Sequence, residues 1–409
     1  MSIEARAARW PAAEVSSIGA VCSAHFCSHF LQLALAPLFI MMRADLQVSF
    51  IELGLVLSVF YLFSGGGQVA AGVLVDRFGA DRLLLAGILT QGAATAAMGF
   101  APTYLLLLPL AALAGLGNSV YHPADLSILS HKVAAPRLGR AFAAHVIAGS
   151  VGFGLSPIVS AAIGAHFGWR TALIAMGLLV LLVGLLLAVF RGPLRAPAGR
   201  AVHAAAGGAP LSFLQVLAMP VVLMAFLYFT LTSVALSGLQ SFSIVALQEG
   251  FGAAVALATL AVALFQVGNT AGVAIGGHVA DRSAQHHQIA MGGLAAAAVF
   301  GFLAAWLQAA PEVTVGLIAL VGFFMGLTTP SRDVLVRGAA PAGATGKVFG
   351  IVYSGFDIGS LVGPLLFGLM LDHHHPRMVI AGAAAALALA VGTAFAVRRR
   401  PDQGLCPPR

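Results

Sequence analysis

The chain has 409 residues, of which 60% are hydrophobic and only 9% charged, with a formal net charge of +7. A soluble domain carries about 25% charged residues, so a soluble globular protein is excluded and the bulk of the chain is expected inside a lipid bilayer. Three cysteines, Cys22, Cys27 and Cys406, form neither a disulfide framework nor a zinc motif.

The first apolar stretch, 15–42, follows Arg6 and Arg9 and is too long for the apolar core of a cleavable signal peptide, so none is expected. Stretches able to cross roughly 30 Å of hydrocarbon as helices continue at 49–75, 83–101, 103–131, 139–166 and 168–191. A run rich in Arg, Pro, Gly and Ala follows, and the apolar stretches resume at 213–247, 250–280, 286–309, 312–337, 345–371 and 375–397. The pattern predicts an all-α membrane protein of twelve transmembrane helices in two pseudo-symmetric six-helix bundles. The first bundle is 1–191, the cytoplasmic linker 192–211, and the second bundle with a short cytoplasmic tail 212–409.

Charge supports the even count. Of the 21 Lys and Arg residues, seventeen fall on one side of this topology, three (Arg43, Arg170, Arg377) on the other, and Arg332 inside a span. Cytoplasmic loops collect Lys and Arg, which places both termini in the cytoplasm of a bacterium whose inner membrane holds the protein. The basic balance therefore reports orientation, and no nucleic-acid partner is expected.

The halves also repeat each other. "GRAFAAHVIAGSVGFGLSPIVSAAIGAHFGWR" (139–170) aligns without gaps with "GKVFGIVYSGFDIGSLVGPLLFGLMLDHHHPR" (346–377), matching Gly152 to Gly359, Pro157 to Pro364 and Arg170 to Arg377. Pro123 and Pro330 share the same offset of 207. Gly72, Asp76 and Arg77 at the end of the second span have counterparts in Gly277, Asp281 and Arg282 at the end of the eighth. Such a duplication is a transporter architecture with its site between the repeats.

With "GVLVDRFGADR" after the second span, the whole chain resembles the major facilitator superfamily, with Ala80 and Asp81 standing where that family has a basic pair. "SHFLQLALAPLF", "SFIELGLVLSVFYL" and "GLGNSVYHPA" resemble its fosmidomycin-resistance branch. There Ala124 replaces a glutamate, with Asp125 one position later, and Gln32-Leu33 replaces an Asn-Asp pair. The resemblance implies a major facilitator fold, gating by the two Asp-Arg loops, a cavity lined by the first and fourth spans with the fifth nearby, and export of a small amphipathic or anionic compound.

Ionisable groups inside spans are costly, roughly 2.5–3.5 kcal/mol each near a helix centre, and mark functional sites. His25 and His29 are spaced i,i+4 in the first span, and His122 and Asp125 i,i+3 in the fourth, so each pair shares a face. His145 lies in the fifth span, and Asn118 and Tyr121 just precede His122. Histidine titrates near neutrality, so this set reads as a proton relay or solute site, with Pro123 freeing a carbonyl of its helix. The rival is structural pairing of Asp125 with Lys132 or Asp76.

In the second half the candidates are a polar run, Thr230, Ser233, Ser237, Gln240 and Ser241, then Gln266, Asn269, Arg332, Tyr353 and Asp357. Arg332 suits an anionic solute group or an ion pair with Asp281 or Asp357. Asp76 and Asp281 are expected to make gate contacts that break as the halves rock, with Gly72 and Gly277 allowing tight helix contact. No dense metal-ligand motif occurs, "DHHHPR" (372–377) and "QHHQ" (285–288) read as solvated loops, and neither a metal nor a cofactor is expected. There is no nucleotide-binding loop and no His-Glu-x-x-His or Gly-x-Ser-x-Gly motif, so no enzyme is expected. The expectation is a monomeric secondary transporter moving a small molecule by alternating access, through proton antiport outward or, alternatively, proton-coupled uptake of an organic acid or siderophore.

Overall fold

The computed structural model describes residues 10–195, 215, 218–339 and 345–396, so most of the predicted linker, the C-terminal tail and Cys406 lie outside the described residues. All regular structure among the described residues is helical. The first span is Ala12–Gln32, then a tight turn Ala36–Leu38 around Pro37, then Phe39–Leu46. Proline supplies no N–H to the helix ladder, which is where the span breaks. The second span, Phe50–Phe78, starts on a reciprocal cap in which Ser49 Oγ accepts from Glu52 N and Glu52 Oε2 accepts from Ser49 N. Gly79, at φ 91°, turns the chain into the third span, Ala80–Met98.

The fourth span is divided into Tyr104–Asn118 and Tyr121–Lys132. Its break falls at Ser119 and Val120, before Pro123 rather than at it, so Pro123 occupies a first helical turn, where proline is tolerated. Ala135–Val189 are 55 residues, helical on both sides of Gly168, that would extend about 80 Å as one straight helix. Gly168, at φ 82° and ψ 161°, reverses the chain and divides the stretch into the fifth span, 135–167, and the sixth, 169–189. An L side chain in left-handed backbone costs about 1–2 kcal/mol. Gly168→Ala is therefore expected to lower the apparent melting temperature in detergent by about 2–4 °C, a shift that tryptophan fluorescence on heating will read.

The second half follows as Pro220–Ser237, a π-helical turn Gly238–Phe242 and Ser243–Phe251 (seventh span), Val255–Arg282 (eighth), His286–Trp306 (ninth), Pro311–Ala339 (tenth), Thr345–Asp372 (eleventh) and Pro376–Ala396 (twelfth). Ten described stretches are long and apolar enough to cross a membrane. That count takes 135–189 once and omits Ala80–Met98, which begins with Ala80, Asp81 and Arg82, so the described residues form twelve spans. Large apolar side chains such as Leu105, Phe167, Leu182 and Val189 point outward, as a lipid-facing surface requires.

Packing repeats as the sequence does. Gly152 in the fifth span lies against the backbone of the first at Phe26, and its counterpart Gly359 in the eleventh lies against the seventh at Thr230. Ser156 Oγ donates to Phe30 O at 2.5 Å, and Ser233 Oγ to Phe356 O at 2.8 Å, across the same two interfaces.

Among the described residues the halves meet along the second and eleventh spans and along the fifth and eighth. Asp372, closing the eleventh span, accepts from Phe50 N and Ile51 N, each at 2.8 Å, at the start of the second span. Ser58 Oγ donates to Leu361 O at 2.7 Å, and Gly54 and Gly368 let the two backbones meet. Phe39 packs on Phe242 with ring centroids 5.4 Å apart, and Arg43 reaches Glu249 at 4.0 Å. Contact along the second and eleventh spans ends where Gly65 meets Asp357, and beyond it Gly66, Gly72 and Gly277 face open space. The expectation that Gly72 and Gly277 mediate tight helix contact is thus corrected for this conformation: a Cβ at either position would meet nothing within 4 Å. Asp76 and Asp281 make no ion pair among the described residues.

Candidate functional site

Where the halves diverge they enclose a cavity of about 220 Å³, lined by Ser150 and Phe153 from the fifth span and otherwise by the second half. Tyr228, Thr232, Leu236 and Gln240 stand at intervals of four along the seventh span and share the face that lines it. Of the polar run expected there, Gln240 alone lines the cavity; Thr230 Oγ1 donates to its own helix at Phe226 O, and Ser233 spans to the eleventh helix. Gln240 Nε2 donates to Gln266 Oε1 at 3.0 Å and Asn269 Nδ2 to Gly322 O at 3.4 Å, so all three predicted amides are oriented. Thr328 and Thr329 complete a polar wall, with Tyr228 Oη 3.3 Å from Thr328 Oγ1.

Arg332 is the one cation in this wall. Its guanidinium lies 4.5 Å over the Phe229 ring and 5.8 Å from that of Phe356, a cation–π arrangement that holds the plane of the group. Nε donates to Asp333 Oδ1 at 2.9 Å. The expected partners, Asp281 and Asp357, are thereby corrected: the long arginine arm folds back on its neighbour, which reasoning from helix faces alone excludes. Tyr353 Oη donates to the same Asp333 oxygen at 3.5 Å. By the 207-residue offset that relates Pro123 to Pro330, Arg332 takes in the second half the position that Asp125 takes in the first.

Asp125 is fully buried and gathers the histidines of three spans. His145 Nε2 lies 3.0 Å from Asp125 Oδ2, and His25 Nδ1 lies 3.2 Å from the same oxygen without hydrogen-bond alignment. The rings of His25 and His145 stack with centroids 3.5 Å apart, and His29 Nε2 is 3.1 Å from His25 Nε2. His122 stands at the edge of the cluster, its centroid 5.3 Å from that of His25, and is exposed. All five residues belong to the first half. Phe153 packs on His29 at 4.1 Å and separates the cluster from the cavity. Asp125 pairs with neither Lys132 nor Asp76, the partners expected of a structural role.

Other predicted residues do different work. Asn118 is a hub of the first bundle: Oδ1 accepts from Ser28 Oγ at 2.7 Å and Gln32 Nε2 at 3.0 Å, while Nδ2 donates to Ser64 Oγ at 2.8 Å. Tyr121 is buried, its hydroxyl bonded to nothing among the described residues. Asp357, half-buried, has no ion pair among the described residues and presses on Gly65, where an added methyl group would lie 2.6 Å from Oδ1. In the loop after the second span, Asp81 pairs with Arg191 at 3.3 Å and so ties the third span to the end of the sixth. Phe153, Tyr228, Thr232 and Phe356 escaped sequence reasoning because apolar helices are full of such residues; the four-residue stripe on the seventh span was the available signal.

Two repeated helical bundles flanking a polar cavity are the architecture of a membrane transporter. The family model of the Major Facilitator Superfamily matches residues 21–246 and 232–409, and the chain belongs to that superfamily. It is 24% identical over 368 residues to the fosmidomycin resistance protein of Escherichia coli (strain K12), covering 88% of each chain. It is 26% identical over 385 residues to the probable sulfoacetate transporter SauU of Cupriavidus necator (strain ATCC 17699), covering 87% of this chain and 86% of that one. Among solved structures, a bacterial homologue of the human lysosomal transporter Spinster, captured inward-facing and occupied, superposes with a TM-score of 0.75 at 15% identity over 93% of this chain and 96% of that one.

Proposed function

We propose that the protein exports a small solute with an anionic group across the bacterial inner membrane, as a monomer with both termini cytoplasmic, in exchange for protons. The observation that carries this reading is the fork between the second and eleventh spans: latched by Asp372 at one end, it terminates at the carboxylate of Asp357, where the open vestibule begins. On the topology of the positive loops the vestibule faces the cytoplasm.

Asp357 rather than the histidine cluster is the coupling group in this reading, because the cluster lies wholly inside one half whereas Asp357 lies between them. An ionised carboxylate packed without a partner against the Gly65 backbone is penalised by lost hydration, so ionisation drives the fork apart and protonation lets it close. In the vestibule-open state the proton leaves to the cytoplasm and solute enters. The ionised fork then opens to the far side, solute leaves, and a proton from that side restores the present conformation. This sequence of steps is antiport.

The solute is held between Arg332 and the amide and hydroxyl wall. A relative named for resistance to a phosphonate drug and another for sulfoacetate transport support an acidic cargo and leave its identity open. The test is growth of an efflux-deficient bacterium expressing the protein on a panel of phosphonates, sulfonates, carboxylates and neutral antibiotics. Resistance to an acidic compound, lost with Arg332→Ala at matched expression, is the expected result; hypersensitivity lost with the same change would instead establish uptake. For the compound so found, Arg332→Lys keeps the charge but loses the planar fork and the ring stacking. A rise in apparent KM of about tenfold is expected in proteoliposome flux, the loss of roughly one charge-assisted hydrogen bond.

A further inference from the structure

The cluster around Asp125 contains more ligand chemistry than a buried ion pair uses. Asp125 Oδ1, His25 Nδ1 and His29 Nδ1 are all buried without a hydrogen-bond partner, an arrangement that native interiors avoid. Two neutral imidazoles can each donate only one proton, and protonating both stacked rings would place two cations face to face at 3.5 Å. A single divalent cation would take the Asp125 carboxylate together with one lone pair each from His25 and His145.

We propose that His25, Asp125 and His145 form a binding site for a first-row divalent transition-metal ion, enclosed in the first half and loaded from the vestibule past His122. One ligand atom from each of the three lies within 4.8 Å of the others. The two measured nitrogen-to-oxygen separations, 3.0 and 3.2 Å, are close to the about 3.3 Å that separates ligands at 2.0–2.1 Å from a tetrahedral centre. Two imidazoles and one carboxylate suit zinc, nickel, cobalt or iron, whereas magnesium and calcium take oxygen sets. His25 also has the outer support that orients metal-bound imidazoles: its Nε2 is 3.1 Å from His29 Nε2. The exposed ring of His122 stands on the entry side, 5.3 Å from His25 and 6.3 Å from His145 between centroids. The three ligands come from the first, fourth and fifth spans, so the ion ties these helices together whichever way the halves tilt.

The proposal goes beyond the transport reading and is tested without flux. The full chain, purified in detergent and stripped with chelator, is titrated calorimetrically with Zn²⁺ in a background where His286, His287, His373, His374 and His375 are changed to Gln, which removes both histidine-rich segments. One equivalent is expected to bind, and Asp125→Asn and His145→Gln are each expected to weaken it at least tenfold while remaining monodisperse. Binding that vanishes with the loop histidines, or that persists unchanged in both variants, would overturn the site. If a variant does not fold, Co²⁺ added to the loop-substituted protein carries the test. Intense visible absorption of a four-coordinate ion, displaced by Zn²⁺, is expected, and only the weak absorption of six-coordinate aqueous cobalt would overturn the site equally.

Discussion

Asp372→Ala is expected to move the protein out of the conformation described and to abolish accumulative transport. The carboxylate caps the second span with both oxygens, accepting from Phe50 N and Ile51 N at 2.8 Å across the boundary between the halves. Charge-assisted hydrogen bonds contribute about 1.5–3 kcal/mol each, and a negative charge at a helix N-terminus about 0.3–1 kcal/mol more. A net loss near 2 kcal/mol, allowing for water at this interface, shifts the balance of states about 30-fold. The Ser49–Glu52 cap lies on the same turn and keeps the helix end wound, so the effect is on the gate and not on folding. Spin labels placed across the closed end, at the starts of the second and eighth spans, will read it as a longer distance population. An unchanged distance distribution with unchanged flux would remove Asp372 from the gate.

The second large effect concerns Asp357. Asparagine at this position is permanently neutral, so the fork can close but is never driven open. In proteoliposomes, pH-gradient-driven transport is expected to fall at least a hundredfold while downhill exchange of solute for solute persists. The sign follows from the packing: proton binding favours the closed fork, so the wild type moves towards this conformation as pH falls and away from it as pH rises, and Asp357→Asn loses that dependence. Gly65→Val forms a steric counterpart, since its side chain enters the space of the Asp357 carboxyl. It is expected to slow exchange at every pH rather than to flatten the pH profile. Full gradient-driven flux in Asp357→Asn would falsify the coupling role and return it to another carboxylate.

Much of the fold was legible because membrane insertion writes itself into local composition. Each span is an apolar run, the cationic residues accumulate on one side, and matched Gly, Pro and Arg expose the duplication. The pairs His25/His29 and His122/Asp125 were legible as helix faces, since spacing along one helix is a one-dimensional property. His145 entered the set through the resemblance, which places the fifth span near the first and fourth; spacing alone does not give it, because the meeting of three spans depends on side-chain volumes at their contacts. The gate shows the same limit. Asp372 was read as part of a histidine-rich loop, while its partners lie 322 and 321 residues away in sequence, and capping by a distant chain leaves no local pattern. The Arg332–Asp333 pair failed in the opposite direction: adjacency argued against contact, and a flexible arm made it.

The π-helical turn at Gly238–Phe242 has a consequence for anyone grafting pieces of this chain onto a relative. Such a turn accommodates one surplus residue relative to regular winding, here between the face that carries Tyr228 and Thr232 and the closed-end segment Ser243–Phe251. Removing a single residue within the turn, Leu239 for example, would restore regular winding and leave the two segments in phase, whereas the same deletion elsewhere in the span would rotate one segment against the other by about 100° while shortening the helix by about 1.5 Å. Phe242, wedged between Phe39 and Phe367, would hold its own segment in place, so the cavity face would be the one to turn away. Chimeras cut through the seventh span must therefore conserve residue number outside this turn, and a one-residue difference is absorbed without loss of phase only at Gly238–Phe242.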